Sequence, residues 1–424
     1  MKAQPQLDPY AMGEPIACTS SSLDQECDGA HIDMLSLGTK PLQVVGEGNA
    51  NVVVTTTGCS GVPSHQVLRL TKVSAARNNT SFNASDKLRF QTYATCLLFG
   101  SALLPKLAIV PVTPDSLTRI STQIAPLRSP SRKHRSIDLS CTHAMLMENT
   151  LVALGDGPIS SFAIEIKPKW GFHPLEAQGN MCRFCAHQIL KSRQTGGVPS
   201  QYCPLLLFSS SKDHIEEAIR SLLKTPNNNI KLFAEGGPVE HSQFTLALDT
   251  FFGSTQAFVD LTSDCLLRHP LLSALQHYQR SFHLDPFKIQ ALLDELPDSI
   301  VDIIDTLLVE HIQSILEICS NFHVAPHLKH THQQDIYQHD VLKSTYPETF
   351  ESIYFICKSL ISMTLKDASI VLVFDKQSGE RAVKLNRVRL IDMDPKSINS
   401  LPKWIALQRD INEYVPYYTT KSDS

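Results

Sequence analysis

Lys167 and Lys169 flank Pro168 at the end of an apolar run, Phe162, Ala163, Ile164 and Ile166, which also holds Glu165. Ionised groups are rarely left in such a segment without partners, because an unpaired buried charge is costly or shifts its pKa. Proline fixes an extended backbone and removes a donor, so both lysines are expected on one side of the strand end. Two ammonium groups side by side call for a polyanion. Arg183, His187 and Lys191 would add a basic stripe on one helix face, where like charges repel by a few tenths of a kcal/mol unless an anion faces them. The bland alternative is a core histidine satisfied by a carbonyl beside a solvated arginine.

Further groups suit phosphate chemistry. Gly46, Glu47, Gly48, Asn49, Ala50 and Asn51 lie between two expected strands, in a turn whose N–H groups can approach phosphate oxygens. A hairpin with no ligand reads the same way, and the string is neither a Walker loop nor a dinucleotide fingerprint. Arg69, in the apolar strand Val67, Leu68, Leu70, could grip phosphates bidentately or pair with a surface carboxylate. Asp392 and Asp394 follow a strand, and Mg2+ takes one or two carboxylates plus substrate oxygens. Asp394 before Pro395 could instead cap a helix. Asn227, Asn228 and Asn229 suit left-handed turn positions, and Lys396, Lys403 and Arg409 add cations near the C-terminus.

The string Glu165 to Phe172, with Cys182 to Gln188, resembles the signature of the inositol-pentakisphosphate 2-kinases, and the likeness runs in islands from about Gly46 to about Tyr414. The resemblance implies a kinase that uses ATP and Mg2+ to phosphorylate the 2-hydroxyl of inositol 1,3,4,5,6-pentakisphosphate, giving inositol hexakisphosphate (phytate). A non-catalytic inositol hexakisphosphate-binding scaffold is the alternative; it would have no need of Asp367 and Asp392. By resemblance ATP meets the Gly46–Asn51 turn, Arg69 and Glu165, with adenine near Met145–Asn149 and Glu148 and Asn149 at base or ribose. The substrate meets Lys167, Lys169, Lys191, Asn228, Asn229 and Lys231, with Lys396 and Lys403 added from the C-terminal cations. Lys366, Asp367, Ala368, Ser369 resembles the family's Lys-Asp-Cys-Ser, which makes Asp367 the base; Asp392, assisted by Asp394, is the Mg2+ ligand. Plant relatives carry an arginine near Ser400 and a tyrosine near Trp404, which this chain lacks. They also carry a His, Cys, Cys, His zinc site. Here Cys182 and Cys185 have zinc spacing without a second pair, and His323, His327, His330, His332 and His339 lack paired cysteines, so no structural zinc is expected. Nuclear or cytoplasmic location follows from the resemblance alone.

The elements must position these groups. At 424 residues and 42% hydrophobic, the chain is long enough for two packed cores. A net charge of -4 argues against a general nucleic-acid binder, so any polyanion site is a local pocket. Eleven scattered cysteines and a polar start point to a reduced intracellular setting, and no apolar stretch is long enough to span a bilayer. The expected partner is a small molecule, with no membrane and no nucleic acid, and the chain is expected to be a monomer. Residues 1–38 read as a flexible leader. Strands are expected at Leu42–Val45, Asn51–Thr57, Gln66–Leu70, Lys106–Val112 and Ser161–Lys167, and a pair at Ser369–Phe374 and Val383–Ile391 joined at Ser378–Gly379. Helices are expected at Lys87–Leu98, Met181–Ser192, Lys212–Lys224, Pro286–Cys319 and Pro347–Leu365, with 113–140 a loop region whose Arg128, Arg132, Lys133 and Arg135 are solvated. The class is α+β and two-lobed: a kinase-like fold with a small antiparallel N-terminal sheet lobe, 39–158, for nucleotide. A larger α/β C-terminal lobe, 159–424, would hold inositol phosphate and catalysis.

Overall fold

In the computed structural model the described residues are 42–55, 66–73, 82–153, 159–174, 181–322, 336–377 and 382–414. The expected leader, the Ser378–Gly379 turn and His323 to His332 lie outside them, as does the side chain of His339. Short β-branched and apolar runs separated by polar turns make the first sheet: β1 (Val44–Glu47), β2 (Asn51–Thr55), β3 (Gln66–Thr71), β4 (Leu107–Pro111) and β5 (His143–Glu148). It is antiparallel in the order β1-β2-β3-β5-β4. Val52, Val54, Leu68 and Leu70 face a core shared with Leu117, Ile120 and Ile124.

Those last residues overturn the loop expected at 113–140, since Pro114–Ile124 is a helix. Thr113 and Ser116 form a capping box, proline occupies the first turn, and the apolar residues recur at helical spacing.

The second sheet comprises β6 (Ile159–Ile166), β7 (Ile230–Ala234), β8 (Gly237–Val239), β9 (Ser369–Gln377) and β10 (Lys384–Ile391), in the order β10-β9-β6-β7-β8. Every pairing is antiparallel, so the expected α/β character gives way to an antiparallel sheet flanked by helices. β6 is central. Its alternate residues Phe162, Ile164 and Ile166 enter the large helical core, while Ala163 packs with Phe233, Val371 and Val373 on the other face. Covering both faces explains the unbroken apolar run.

The helix Lys212–Lys224 forms as expected, burying Ile215, Ala218, Ile219 and Leu222. Others shift. Ala84–Phe99 starts earlier than expected, because Asn83 and Asp86 make a capping box. The long pattern from Pro286 is cut into Pro286–Asp294, Asp298–Val301, Ile304–Glu310 and Ile312–Phe322, with Pro297 before the first break ends. Leu271–Ser281, Phe350–Leu365 and Leu401–Tyr414 complete the helices that surround the site. Among the described residues no helix is long and apolar enough to cross a membrane.

Candidate active site

The chain leaves β10 through Asp392, whose φ of 59° is left-handed, a conformation that costs a non-glycine residue about 1–3 kcal/mol. Lys167 Nζ donates to Asp392 Oδ2 at 2.6 Å. The Ser369 hydroxyl is shared between Asp392 Oδ2 (3.2 Å) and Glu165 Oε1 (3.0 Å), and Lys231 Nζ donates to Glu165 Oε2 at 2.8 Å. Lys231, Glu165, Ser369, Asp392 and Lys167 therefore form one polar chain with a cation at each end. Burial would raise the Asp392 pKa, but Lys167 and Arg69 outweigh it and hold the carboxyl below its ordinary value. The side chain keeps 42% exposure.

Asp367 follows the Phe350–Leu365 helix and accepts from Lys169 Nζ at 3.0 Å and Lys396 Nζ at 2.8 Å, one on each oxygen. Burial opposes its ionisation, yet Lys396, Lys169 and Lys167 drive its pKa well below the carboxylate range. The pKa of Lys169 is itself lowered, because burial outweighs its attraction to Asp367. Lys169 has φ 62°, so the extended geometry expected after Pro168 is replaced by a left-handed turn. The two lysines still serve one cluster, since Asp367 also acts on Lys167.

Asp394, expected to assist the metal, has both carboxylate oxygens engaged. Arg69 is ion-paired with Oδ2, Asn51 Nδ2 donates to Oδ2 at 3.2 Å, and Gln91 Nε2 donates to Oδ1 at 2.8 Å. This arrangement anchors Arg69 and Asn51 beside Asp392.

The glycine turn is braced. Glu47 Oε1 accepts from Lys72 at 2.7 Å and from Arg128 Nε and Nη2 at 2.9 and 2.7 Å. Arg132 bonds the Asn49 side chain, and Arg135 reaches the Asn49 carbonyl at 3.3 Å. Arg128 is buried, so the solvated loop expected for this charge run is corrected: its arginines shape the turn. A Cβ on Gly46 would meet no atom within 4 Å, so packing does not require glycine there; its absence leaves the backbone bare. The Gly48 N–H is already bonded to the Asn51 carbonyl, and Lys72 N donates to the Ala50 carbonyl.

Glu148, expected at base or ribose, is buried on Arg387 and Arg389, and its Oε2 accepts the Lys106 N–H at 3.2 Å. Asn149 Oδ1 accepts the Leu151 N–H at 3.1 Å and its carbonyl accepts from Arg387. The Glu148 carboxylate thus joins β5 to β10, and the Asn149 side-chain oxygen holds the turn after β5. Their strand neighbours Met145 and Leu146 are apolar and buried.

Of the helical basic stripe, only part faces outward. Arg183 is buried, its Cζ 4.3 Å over the Trp170 ring and its Nε donating to Gln408 Oε1 at 2.9 Å. Lys191 is exposed, and His187 is held neutral, lowered to about 4 by burial and then by Arg183, Lys191, Lys169 and Lys403. That shared influence places exposed Lys403 near the stripe, while Arg409 is exposed and Trp404 packs against the core. Asn227 and Asn228 take the left-handed turn at φ 39° and 61°. The Asn229 carbonyl accepts the Lys167 N–H at 2.8 Å, so this loop sets the strand lysine's backbone.

Known proteins sharpen the picture. A family profile described as inositol-pentakisphosphate 2-kinase matches residues 45–410. The chain belongs to the inositol-pentakisphosphate 2-kinase family. It is similar to the protein of that name from Danio rerio, 32% identical over 212 residues, which are 45% of this chain and 42% of that protein. It is also similar to the Arabidopsis thaliana protein, 31% identical over 35% of this chain and 40% of that one. The match therefore spans less than half the length of these two relatives. Likeness to inositol-pentakisphosphate 2-kinase IPK1 of Oryza sativa is lower, 24%, but covers 89% of this chain and 93% of the rice protein.

Within this inositol-pentakisphosphate 2-kinase family chain, several supporting residues escaped the motif reading. Gln279 is fully buried; it accepts the Gly171 N–H at 2.8 Å and donates to the Lys169 and Leu365 carbonyls at 2.9 and 3.0 Å. It thereby joins the backbone of Lys169 to the end of the helix before Asp367. The available signal was a glutamine in register with Leu272 and Leu275 on an apolar helix face. Tyr202 donates its hydroxyl to the Pro168 carbonyl at 2.9 Å, and Gly171 is needed because a Cβ would lie 2.9 Å from the Phe208 ring. Cys203, which sequence spacing did not connect with Cys182 and Cys185, brings its sulfur to theirs.

Proposed function

We propose that the protein is an ATP-dependent kinase that transfers the γ-phosphoryl group to the 2-hydroxyl of inositol 1,3,4,5,6-pentakisphosphate, giving inositol hexakisphosphate and ADP. It would work as a two-lobed, kinase-like enzyme, with nucleotide on the 39–158 side and inositol phosphate on the 159–424 side. The observation that carries this reading is Asp367 held between Lys169 and Lys396, beside the Lys167–Asp392 pair. Base and anion-binding cations then share one cluster, as a polyphosphate acceptor requires. Family membership supports the same substrate class.

Substrate phosphates compete with Asp367 for its two lysines. Each ammonium that turns to phosphate relieves the depression of the Asp367 pKa, making the carboxylate a better proton acceptor when the hydroxyl arrives. The hydroxyl oxygen forms its bond to the γ-phosphorus as the bond to the ADP oxygen breaks, and its proton passes to Asp367. Asp392 fits a Mg2+ ligand: it is a hard oxygen donor, partly exposed, and its Oδ1 accepts no hydrogen bond among the described residues. Mg2+ bound there would neutralise charge on the nucleotide phosphates. Arg69, steadied by Asp394, supplies a second phosphate contact. Incubating the purified chain with Mg-ATP and inositol 1,3,4,5,6-pentakisphosphate and separating products by anion exchange tests this. Hexakisphosphate formation is expected; binding without product under any condition would leave the scaffold reading instead.

A further inference from the structure

We propose that Trp170 is a positioning residue whose indole ring holds two buried cations, Lys366 and Arg183, and so sets Asp367 and the basic helix against the strand-end lysines. Lys366 Nζ stands 3.9 Å, and Arg183 Cζ 4.3 Å, from the centre of that one ring. Cation–π attraction reaches to about 6 Å from a ring centre and is strongest on tryptophan, so both cations lie well inside its range. Lys366 is 3% exposed and Arg183 8%. The attraction is worth most for cations stripped of water in this way.

Each contact holds a different part of the candidate active site. Lys366 is the C-cap of the Phe350–Leu365 helix and the residue before Asp367. Arg183 is the first residue of the Arg183–Thr195 helix, which carries His187 and Lys191. Trp170 itself follows Lys169, whose ammonium donates to Asp367 at 3.0 Å. Three segments remote in sequence therefore meet on one ring, and a shift of the ring would move base, helix and lysine relative to one another. Misplacement of about 1 Å in such a cluster can cost about 100-fold in rate. The ring has its own supports: Phe172 lies 5.7 Å away and His283 packs edgewise at 5.3 Å, while His283 Nδ1 accepts from Lys366 Nζ at 3.0 Å.

The aromatic type has a chemical reason. A carboxylate in the place of the ring would add negative charge beside a cluster that is to receive a polyanion. An aromatic face steadies a cation and leaves its charge to act on the incoming phosphates. The ring contacts stand apart from any activity, but the positioning role rests on the proposed function.

The chain has two tryptophans, Trp170 and Trp404, so in a Trp404→Phe chain a biosynthetically incorporated fluorotryptophan enters the Trp170 ring alone. Successive fluorines draw electron density from the ring face and nearly keep its shape, which separates attraction for cations from packing. Relative to that parent, kcat and the KM for inositol pentakisphosphate are expected to worsen step by step, with kcat/KM down about tenfold in the most fluorinated ring and the ATP KM unchanged. Trp170→Leu should lose about 30-fold, with Trp170→Phe between it and the parent. Flat kinetics across the fluorinated series would overturn the proposal even if urea unfolding responds, since the ring would then serve the fold alone. An equal rise in the ATP KM would overturn it as well. A wild-type chain that makes no hexakisphosphate would sink the kinase reading by itself. Calorimetric titration of inositol hexakisphosphate into the same series then judges the ring: affinity that declines with fluorination upholds its role in placing the basic groups, and constant affinity removes it.

Discussion

Arg69 on β3 is ion-paired with Asp394, which stands beyond the end of β10, so one side-chain contact joins the two sheets. Burial works against the Arg69 charge, but Asp394 and then Asp392 raise its pKa. Arg69→Ala removes the ion-pair partner of Asp394 and leaves it beside a second carboxylate. For a pair this sheltered, the expected loss is about 1–3 kcal/mol in urea unfolding, with a raised KM for ATP. An Arg69→Ala, Asp394→Asn double variant should recover part of the stability but none of the nucleotide affinity. If both recover together, Arg69 acts on the fold alone.

Asp367→Asn separates binding from chemistry. The amide keeps the shape but cannot accept the hydroxyl proton, so kcat should fall by roughly 10²–10⁴. Inositol phosphate should bind as well as before or better, since one negative charge opposite its phosphates is gone and Lys169 and Lys396 lose their competing partner. Calorimetric titration and steady-state rates on the same preparation give both numbers. Turnover within threefold of wild type, a margin of about 0.7 kcal/mol, would move the base to another residue.

Much of this cluster was legible because charge in an apolar strand is unusual. Lys167, Lys169 and Glu165 announced themselves by type and place, and Asp367 and Asp392 by strand-edge position and family likeness. What could not be read were partners distant along the chain. Gln279 and Ser369 look ordinary in sequence, since neither burial nor a hydrogen bond to a remote carbonyl leaves a local pattern. The partner of Glu148 was hidden for the same reason: nothing near it foretells Arg387, which stands 239 residues further along the chain. The fold followed similar lines. β2, β3, β6 and the Lys212–Lys224 helix were visible by periodicity, but the Pro114–Ile124 helix was hidden by its Ser, Thr and Pro residues, which proved to be its cap.

Gln279 is predicted to be a positioning residue. Gln279→Leu keeps the volume but strands the Gly171 N–H and two carbonyls in a buried place, at about 1–3 kcal/mol for each unmet group. The useful readout is the split of parameters. Because Gln279 holds the Lys169 and Leu365 backbones, kcat and the inositol phosphate KM should both worsen while the ATP KM stays put. A variant that only melts earlier, with unchanged kinetics at low temperature, would reduce Gln279 to a core residue.

Glu148 and Arg387 offer a contrast with the active-site carboxylates. Both are buried, and Glu148 also receives Arg389. Glu148→Gln leaves the Arg387 charge without a full counter-charge, and breaking a buried pair from one side costs about 3–5 kcal/mol. Thermal unfolding should register this loss, and the ATP KM of protein still folded at low temperature should change little. A large rise in that KM with unaltered stability would return Glu148 to the nucleotide.

His283 supplies a pH test. Its Nδ1 accepts from Lys366 Nζ at 3.0 Å, and its ring packs edgewise with Trp170 and Phe172 at 5.3 Å each. Burial, then Lys366, Arg183 and Lys288, lower its pKa to about 2. The unfolded chain has no such surroundings, so below an ordinary value of about 6.5 it binds a proton that the folded chain refuses. The group's contribution is complete above about pH 6.5 and is lost as pH falls toward the folded value, at up to about 1.4 kcal/mol per pH unit. Unfolding free energy should therefore decline from pH 6.5 to 4.5, before the active-site carboxylates begin to titrate. His283→Gln keeps an acceptor for Lys366 but cannot ionise, so its curve over that interval should be flatter, with a residual slope from His187, which is lowered to about 4. Equal slopes in the two proteins would mean that His283 is not the buried neutral group described.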